Sequence, residues 1–132
     1  MERRALTLDL LDGRFAVCRL DPSAEVPGWA LGGAFSSATR TGAELSLVCP
    51  EAGVPPGVPS EPGWRCLRVR GPLGFGMTGV LAGLASPLAS SGVSIFVVST
   101  YDTDYLLVQE RDLDRASDAL SRAGHTVAPL PA

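Results

Sequence analysis

Residues 92–107 read GVSIFVVSTYDTDYLL. An apolar run, a short polar turn and a second apolar run follow one another, the pattern of two buried strands joined by a turn. The turn concentrates hydroxyls and carboxylates at Ser99, Thr100, Tyr101, Asp102, Thr103 and Asp104. Working outward, Met77, Val80, Leu81, Leu84 and Leu88 keep the i, i+3, i+4, i+7 spacing of a helix face over 77–91. Pro87 is expected to kink its last turn, with Gly83 easing the clash. On the other side, Asp112 is placed to cap a helix whose face is Leu113, Ala116 and Leu120, and Gly124 suits the position just past its end. Trp64 to Val69 reads as a strand before the first helix and Thr126 to Ala128 as one after the second. The order is β-α-β-β-α-β, the ferredoxin-like pattern, with an antiparallel sheet and both helices on one face.

The first half is a weaker copy of the same plan. Ala5 to Leu11 and Phe15 to Leu20 flank Asp12-Gly13, a hairpin signal. Val26 to Leu31 suits only a short helix between Pro27, Gly28 and the Gly32-Gly33 pair. Ala34 to Thr39 and Leu45 to Cys49 read as strands joined at Thr41-Gly42. Residues 50–63, PEAGVPPGVPSEPG, have no apolar periodicity and read as a surface loop or linker with a mobile centre, where a second helix would otherwise fall. The expected organisation is therefore α+β, with two modules in tandem, a reduced one over 1–63 and a fuller one over 64–132.

Composition removes several functions. All 11 basic residues are Arg, so neither a Schiff-base lysine nor a phosphate-loop lysine is available. The net charge of −3 argues against a nucleic-acid partner. One His and three scattered cysteines, Cys18, Cys49 and Cys66, do not make a usual zinc set, and the thiols read as buried and reduced. His125 reads as a surface or capping residue without a partner for a triad. Asp102 and Asp104 lie two apart, but their simplest role is shaping the turn. Arg40 and Glu44 form a polar cluster by a turn, structural or facing a ligand carboxylate. The early charges of the N-terminus do not suit a signal peptide, and Pro87 and Gly92 interrupt the longest apolar stretch, so a cytoplasmic location without a membrane span is expected. No catalytic residue, cofactor or metal is expected.

GPLGFGMTGVLAGLASPLASSGVSIFVVSTYDTDYLLVQERDL, residues 71–113, resembles the C-terminal ACT module of tandem-ACT amino-acid-sensing proteins. These include small bacterial two-ACT proteins and the eukaryotic cytosolic arginine sensors. FAVCRL, FSSATRTGAELSLVC and GWRCLRV resemble the N-terminal module of the same chains. The resemblance implies a non-catalytic regulator that holds an amino acid between modules and forms a homodimer. It places ligand contacts on the loop at Leu73, Gly74, Phe75, Gly76, Met77 and Thr78, and on the strand start at Val93, Ser94 and Ile95 of a facing module. Thr100 and Asp104 are added from the turn as selectors of the ligand side chain. A glycine-rich loop opening a helix offers backbone N–H groups and a positive dipole end to a carboxylate. The alternative expectation is a structural or protein-interaction dimer that needs no ligand.

Overall fold

Two helix ends and one buried carboxylate organise the second half of the chain. The structure, a computed structural model, describes residues 5–71 and 79–129. Among these residues there are eight strands: β1 (Thr7–Leu10), β2 (Phe15–Leu20), β3 (Ser37–Arg40), β4 (Leu45–Pro50), β5 (Ser60–Val69), β6 (Ile95–Ser99), β7 (Asp104–Gln109) and β8 (Thr126–Pro129). Two α-helices accompany them, α1 (Val80–Ser90) and α2 (Leu113–Arg122). The chain forms two compact units, one of Met1–Leu11 with Arg65–Ala132 and one of Asp12–Trp64. The segment through Leu11, expected with the first module, thus folds with the second.

In the unit that ends the chain, β5, α1, β6, β7, α2 and β8 follow the expected order. β7 lies between β5 and β6. β1 is inserted between β5 and β8, antiparallel to the first and parallel to the second. Two expectations are corrected here. The Asp12-Gly13 turn does not close a hairpin between β1 and β2, because β1 takes its hydrogen bonds from β5 and β8. The sheet is also not wholly antiparallel, since Thr7–Leu10 and Thr126–Pro129 run the same way. Leu84 and Leu88 of α1 and Ala116, Ala119 and Leu120 of α2 pack on Leu8, Leu67, Val69, Leu106 and Val108, so both helices cover one face. Each fully buried leucine contributes about 1.5–3 kcal/mol of transfer free energy.

Both helices of this unit end in the same device. Gly92 (φ 73°) and Gly124 (φ 96°) take the left-handed conformation that stops the helix. The next residue's N–H then reaches back to the helix: Val93 to the Leu88 carbonyl and His125 to the Leu120 carbonyl, each at 2.9 Å. Gly92 and Gly124 donate to Ala89 and Ser121 at 3.0 Å, completing two Schellman motifs. β6 consequently starts at Ile95 and not at Val93, because Val93 belongs to the helix cap. Asp112, expected to cap α2, ends a 3-10 turn at Glu110–Asp112 with φ −101° and ψ 0°. That backbone aims no side-chain oxygen at the helix N–H groups; the carboxylate instead accepts from Arg115.

The Asp12–Trp64 unit has the strand order β3-β4-β2-β5, with all three pairings antiparallel. This is the ferredoxin-like order with 3-10 turns, Gly28–Ala30 and Glu51–Gly53, where the α-helices would stand. The short helix expected at 26–31 is reduced to three residues. Trp29, Ala30, Val54 and Val58 cover Ala16, Cys18, Leu45, Leu47 and Cys49 in place of helices. The expected loop at 50–63 is also partly strand, because β5 begins at Ser60. The obstacle was Pro62, which has no N–H to donate. A bulge absorbs it: Val17 pairs with Glu61 but Phe15 with Trp64, leaving Pro62 and Gly63 opposite Ala16. Gly63 (φ 86°) completes the bulge, and its N–H donates to Glu51 Oε1 at 2.7 Å.

Candidate functional site

The cap of α1 sets the positions of the residues expected to contact a ligand on the second strand. Val93 is buried (5 % exposed) and packs with Leu84 and Leu88. Ser94 follows it and is exposed, and Ile95, half-buried, begins β6 opposite Val108. Of the three, Ser94 presents its side chain to solvent, and Val93 serves the core. Leu73, Gly74, Phe75, Gly76, Met77 and Thr78, the other half of the expected site, lie outside the described residues.

Thr100 and Asp104 stand at the far end of the same strand. Ser99 pairs with Asp104, and four residue steps separate Ile95 from Ser99, roughly 13 Å of strand. The structure therefore does not bring Thr100 and Asp104 together with Val93, Ser94 and Ile95 of the same unit. Thr100 is engaged in its own turn. Its N–H and hydroxyl both donate to the Thr103 carbonyl, at 2.8 and 3.0 Å, and its Oγ1 accepts the Thr103 N–H at 3.3 Å. Thr103 is buried and donates its hydroxyl to the Val69 carbonyl at 2.6 Å, tying the turn to the end of β5.

A polar cavity of about 440 Å³ opens beside that tie, lined by Arg68, Val69, Arg70, Gly71, Asp102, Thr103 and Tyr105. Arg68 lies on β5 and Arg70 directly follows its last residue, where its N–H still donates to the Thr7 carbonyl at 2.8 Å, so the two are placed on the sheet face opposite Leu67 and Val69. Both reach Asp9 on β1. Arg70 clasps the carboxylate with two N–H groups, Nη2 to Oδ1 at 2.5 Å and Nε to Oδ2 at 3.3 Å. Arg68 adds a single contact to Oδ2 at 3.3 Å. The hydrogen bond from Arg70 holds the Asp9 carboxyl below its ordinary range, against the opposing effect of burial and with further help from Arg68. The sequence reading passed over this cluster. Its signal was the Arg-Val-Arg spacing at the end of a strand, with a lone carboxylate inside an apolar strand, Thr7–Leu10.

Other titratable groups are committed elsewhere. His125, expected at the surface, is buried (7 % exposed). Its Nδ1 accepts the Leu6 N–H at 3.1 Å, which leaves the proton on Nε2, facing the Gly83 carbonyl at 3.3 Å. Cys18, Cys49 and Cys66 are buried thiols, and burial pushes Cys49 and Cys66 up to about 12. At neutral pH they are protonated and poor nucleophiles. Arg40 donates to the Pro22 carbonyl and, at 2.7 Å, to the Ala24 carbonyl, which anchors the 21–24 turn. Among the described residues no group of three His, Cys, Asp or Glu side chains is placed to hold a metal. No helix among them is long and apolar enough to cross a membrane.

A β-α-β-β-α-β unit joined to a helix-poor copy of itself defines a class, and comparison with known proteins agrees. The chain belongs to the ACT-domain family: the ACT domain model matches residues 59–122, and a model of an N-terminal domain matches 13–57. It is similar to a crystallised protein of Agrobacterium tumefaciens, with 42% identity, a TM-score of 0.92, and coverage of 98% of this chain and 97% of that one. It is also similar to subunit 1 of the cytosolic arginine sensor for mTORC1 of Bos taurus, 34% identical over 99 residues, 67% of this chain and 30% of that protein. The chain thus spans about a third or less of the length of the curated relatives it matches. The aspartate kinase of Clostridium acetobutylicum shares the fold, with a TM-score of 0.61 at 13% identity over 93% of this chain and 36% of that one.

Proposed function

We propose that this protein is a non-catalytic amino-acid-binding regulator, active in the cytosol as a homodimer. The ligand is held where the loop at Leu73–Thr78 of one ACT module meets Val93, Ser94 and Ile95 of a facing module. The loop's backbone N–H groups, at the start of α1, receive the ligand carboxylate. The ends of the facing strand supply carbonyl oxygens to the ammonium. Thr100 and Asp104, remote from residues 93–95 within their own unit, act on the ligand side chain only across the interface.

The observation that carries this reading is the position of Ser94. It is exposed between a buried cap residue and the first paired residue of β6, so a rigid helix end presents it. Membership of a family that includes a cytosolic arginine sensor supports the ligand class. A thermal-shift screen of the folded protein against the twenty amino acids tests it. At least one is expected to raise the melting temperature, and Ser94→Trp is expected to abolish that rise while leaving the unliganded Tm within a few degrees. No stabilisation by any amino acid at millimolar concentration would refute the reading.

The ligand-independent alternative draws on the first unit, whose α-helices are replaced by 3-10 turns. That unit offers no α-helix N-terminus among its described residues. Sedimentation with and without ligand separates the two readings, since a dimer indifferent to amino acids favours the alternative.

A further inference from the structure

The cavity between the end of β5 and the 100–103 turn is more polar than packing requires. One buried carboxylate, Asp9 (1 % exposed), faces two guanidinium groups, so the trio carries a net charge of +1. Arg70 alone satisfies both Asp9 oxygens with a two-pronged contact. Arg68 makes a single contact, at 3.3 Å, from a group with five N–H donors. Its side chain is 38 % exposed and lines the cavity. Asp102 stands on another wall, exposed, in a turn braced by the bond from Thr103 to Val69. A volume of about 440 Å³ is enough for a ligand of amino-acid size.

We propose that this cavity is a carboxylate-binding site, separate from the interface site above, in which the Arg68 guanidinium receives the ligand's carboxylate and Asp102 receives an ammonium group when the ligand carries one. Arg70 is the positioning residue: by neutralising Asp9 it leaves the planar fork of Arg68 for an incoming anion. A guanidinium recognises a carboxylate through two parallel N–H donors, a match that an ammonium does not reproduce. The preferred ligands are therefore small carboxylates, with free α-amino acids ahead of simple acids because only they use both walls.

Amide-resolved NMR titration of the whole chain tests this, with acetate, the twenty amino acids and inorganic phosphate as separate probes. Acetate and at least one amino acid are expected to shift the Arg68, Gly71, Asp102, Thr103 and Tyr105 signals. Arg68→Lys, which keeps a positive charge beside Asp9, is expected to weaken both probes about tenfold, the loss of one charge-assisted hydrogen bond. Asp102→Asn is expected to weaken the amino acid and leave acetate unchanged. Thermal melts of both variants check that the fold is intact. The proposal is overturned if no carboxylate shifts these signals, if phosphate alone does, or if Arg68→Lys binds as the wild type does. An amino acid whose shifts are confined to residues 93–95 would overturn it and leave the interface reading standing; the reverse pattern would do the opposite.

Discussion

Pro87 and His125 are expected to be energetically coupled through one carbonyl. In α1 the Gly83 carbonyl would accept from the N–H of residue 87, but that residue is proline and has none. His125 Nε2 faces the same carbonyl at 3.3 Å, so the imidazole supplies the donor that the helix lacks. His125→Asn keeps an acceptor near Nδ1 for the Leu6 N–H and removes the Nε2 donor. Gly83 is exposed, so water partly compensates and the lost bond is worth about 1 kcal/mol. Loss of ring packing adds to the measured cost but is common to both backgrounds. Pro87→Ala restores a backbone donor and should itself stabilise, since proline inside a helix costs about 3 kcal/mol. In that background the hydrogen-bond part of the Asn cost disappears. Urea unfolding of the four proteins of the cycle should give a coupling energy of about 1 kcal/mol, in the lower part of the range seen for contacting residues. A cost for His125→Asn that is the same within about 0.3 kcal/mol with Pro or Ala at position 87 would refute the shared-acceptor argument.

Two further predictions concern the same unit. Asp9 has its carboxyl held below the unfolded range, chiefly by the Arg70 hydrogen bond, so its contribution to stability is complete above the unfolded pKa of about 4 and is lost as pH falls through the lower folded value. Asp9→Asn should destabilise at neutral pH and flatten the acid limb of a stability–pH curve; an unchanged acid limb would contradict that account. Thr103→Val, nearly isosteric, removes the 2.6 Å bond to the Val69 carbonyl and should cost about 1–3 kcal/mol in urea unfolding, with amide shifts concentrated in the 99–104 turn.

The parts of the fold that were legible in the sequence are those decided by local pattern. The β6–β7 hairpin and the apolar face of α2 could be read because alternation and 3.6-residue spacing are written in adjacent residues. The Asp12-Gly13 turn misled because its two flanking strands are each claimed by distant partners. β1 carries Asp9, and its partners Arg68 and Arg70 lie some sixty residues away, so no local signal indicates where that strand belongs. The start of β5 was hidden for a different reason. Ser60 to Gly63 has poor strand propensity, and only a bulge against β2 makes it pair. Of the expected contact residues, Ser94 is exposed, whereas Val93 is claimed by a helix cap that is visible only once Gly92 is seen in the left-handed conformation. His125 was misjudged because the demand for its proton arises at Pro87, in another element.

The insertion of β1 between β5 and β8 has a consequence for how the chain is made. Translation delivers residues 7–10 long before residues 126–129, yet these two segments are neighbours in one sheet. On the ribosome the Asp12–Trp64 unit has all of its strands once residue 64 has emerged, while β1 must wait for β5 and then for β8. A cut at residue 63 would yield a first fragment carrying an orphan strand and a second fragment with a gap in its sheet. Supplying residues 5–11 as a peptide to the 64–132 fragment should therefore restore structure that neither piece holds alone.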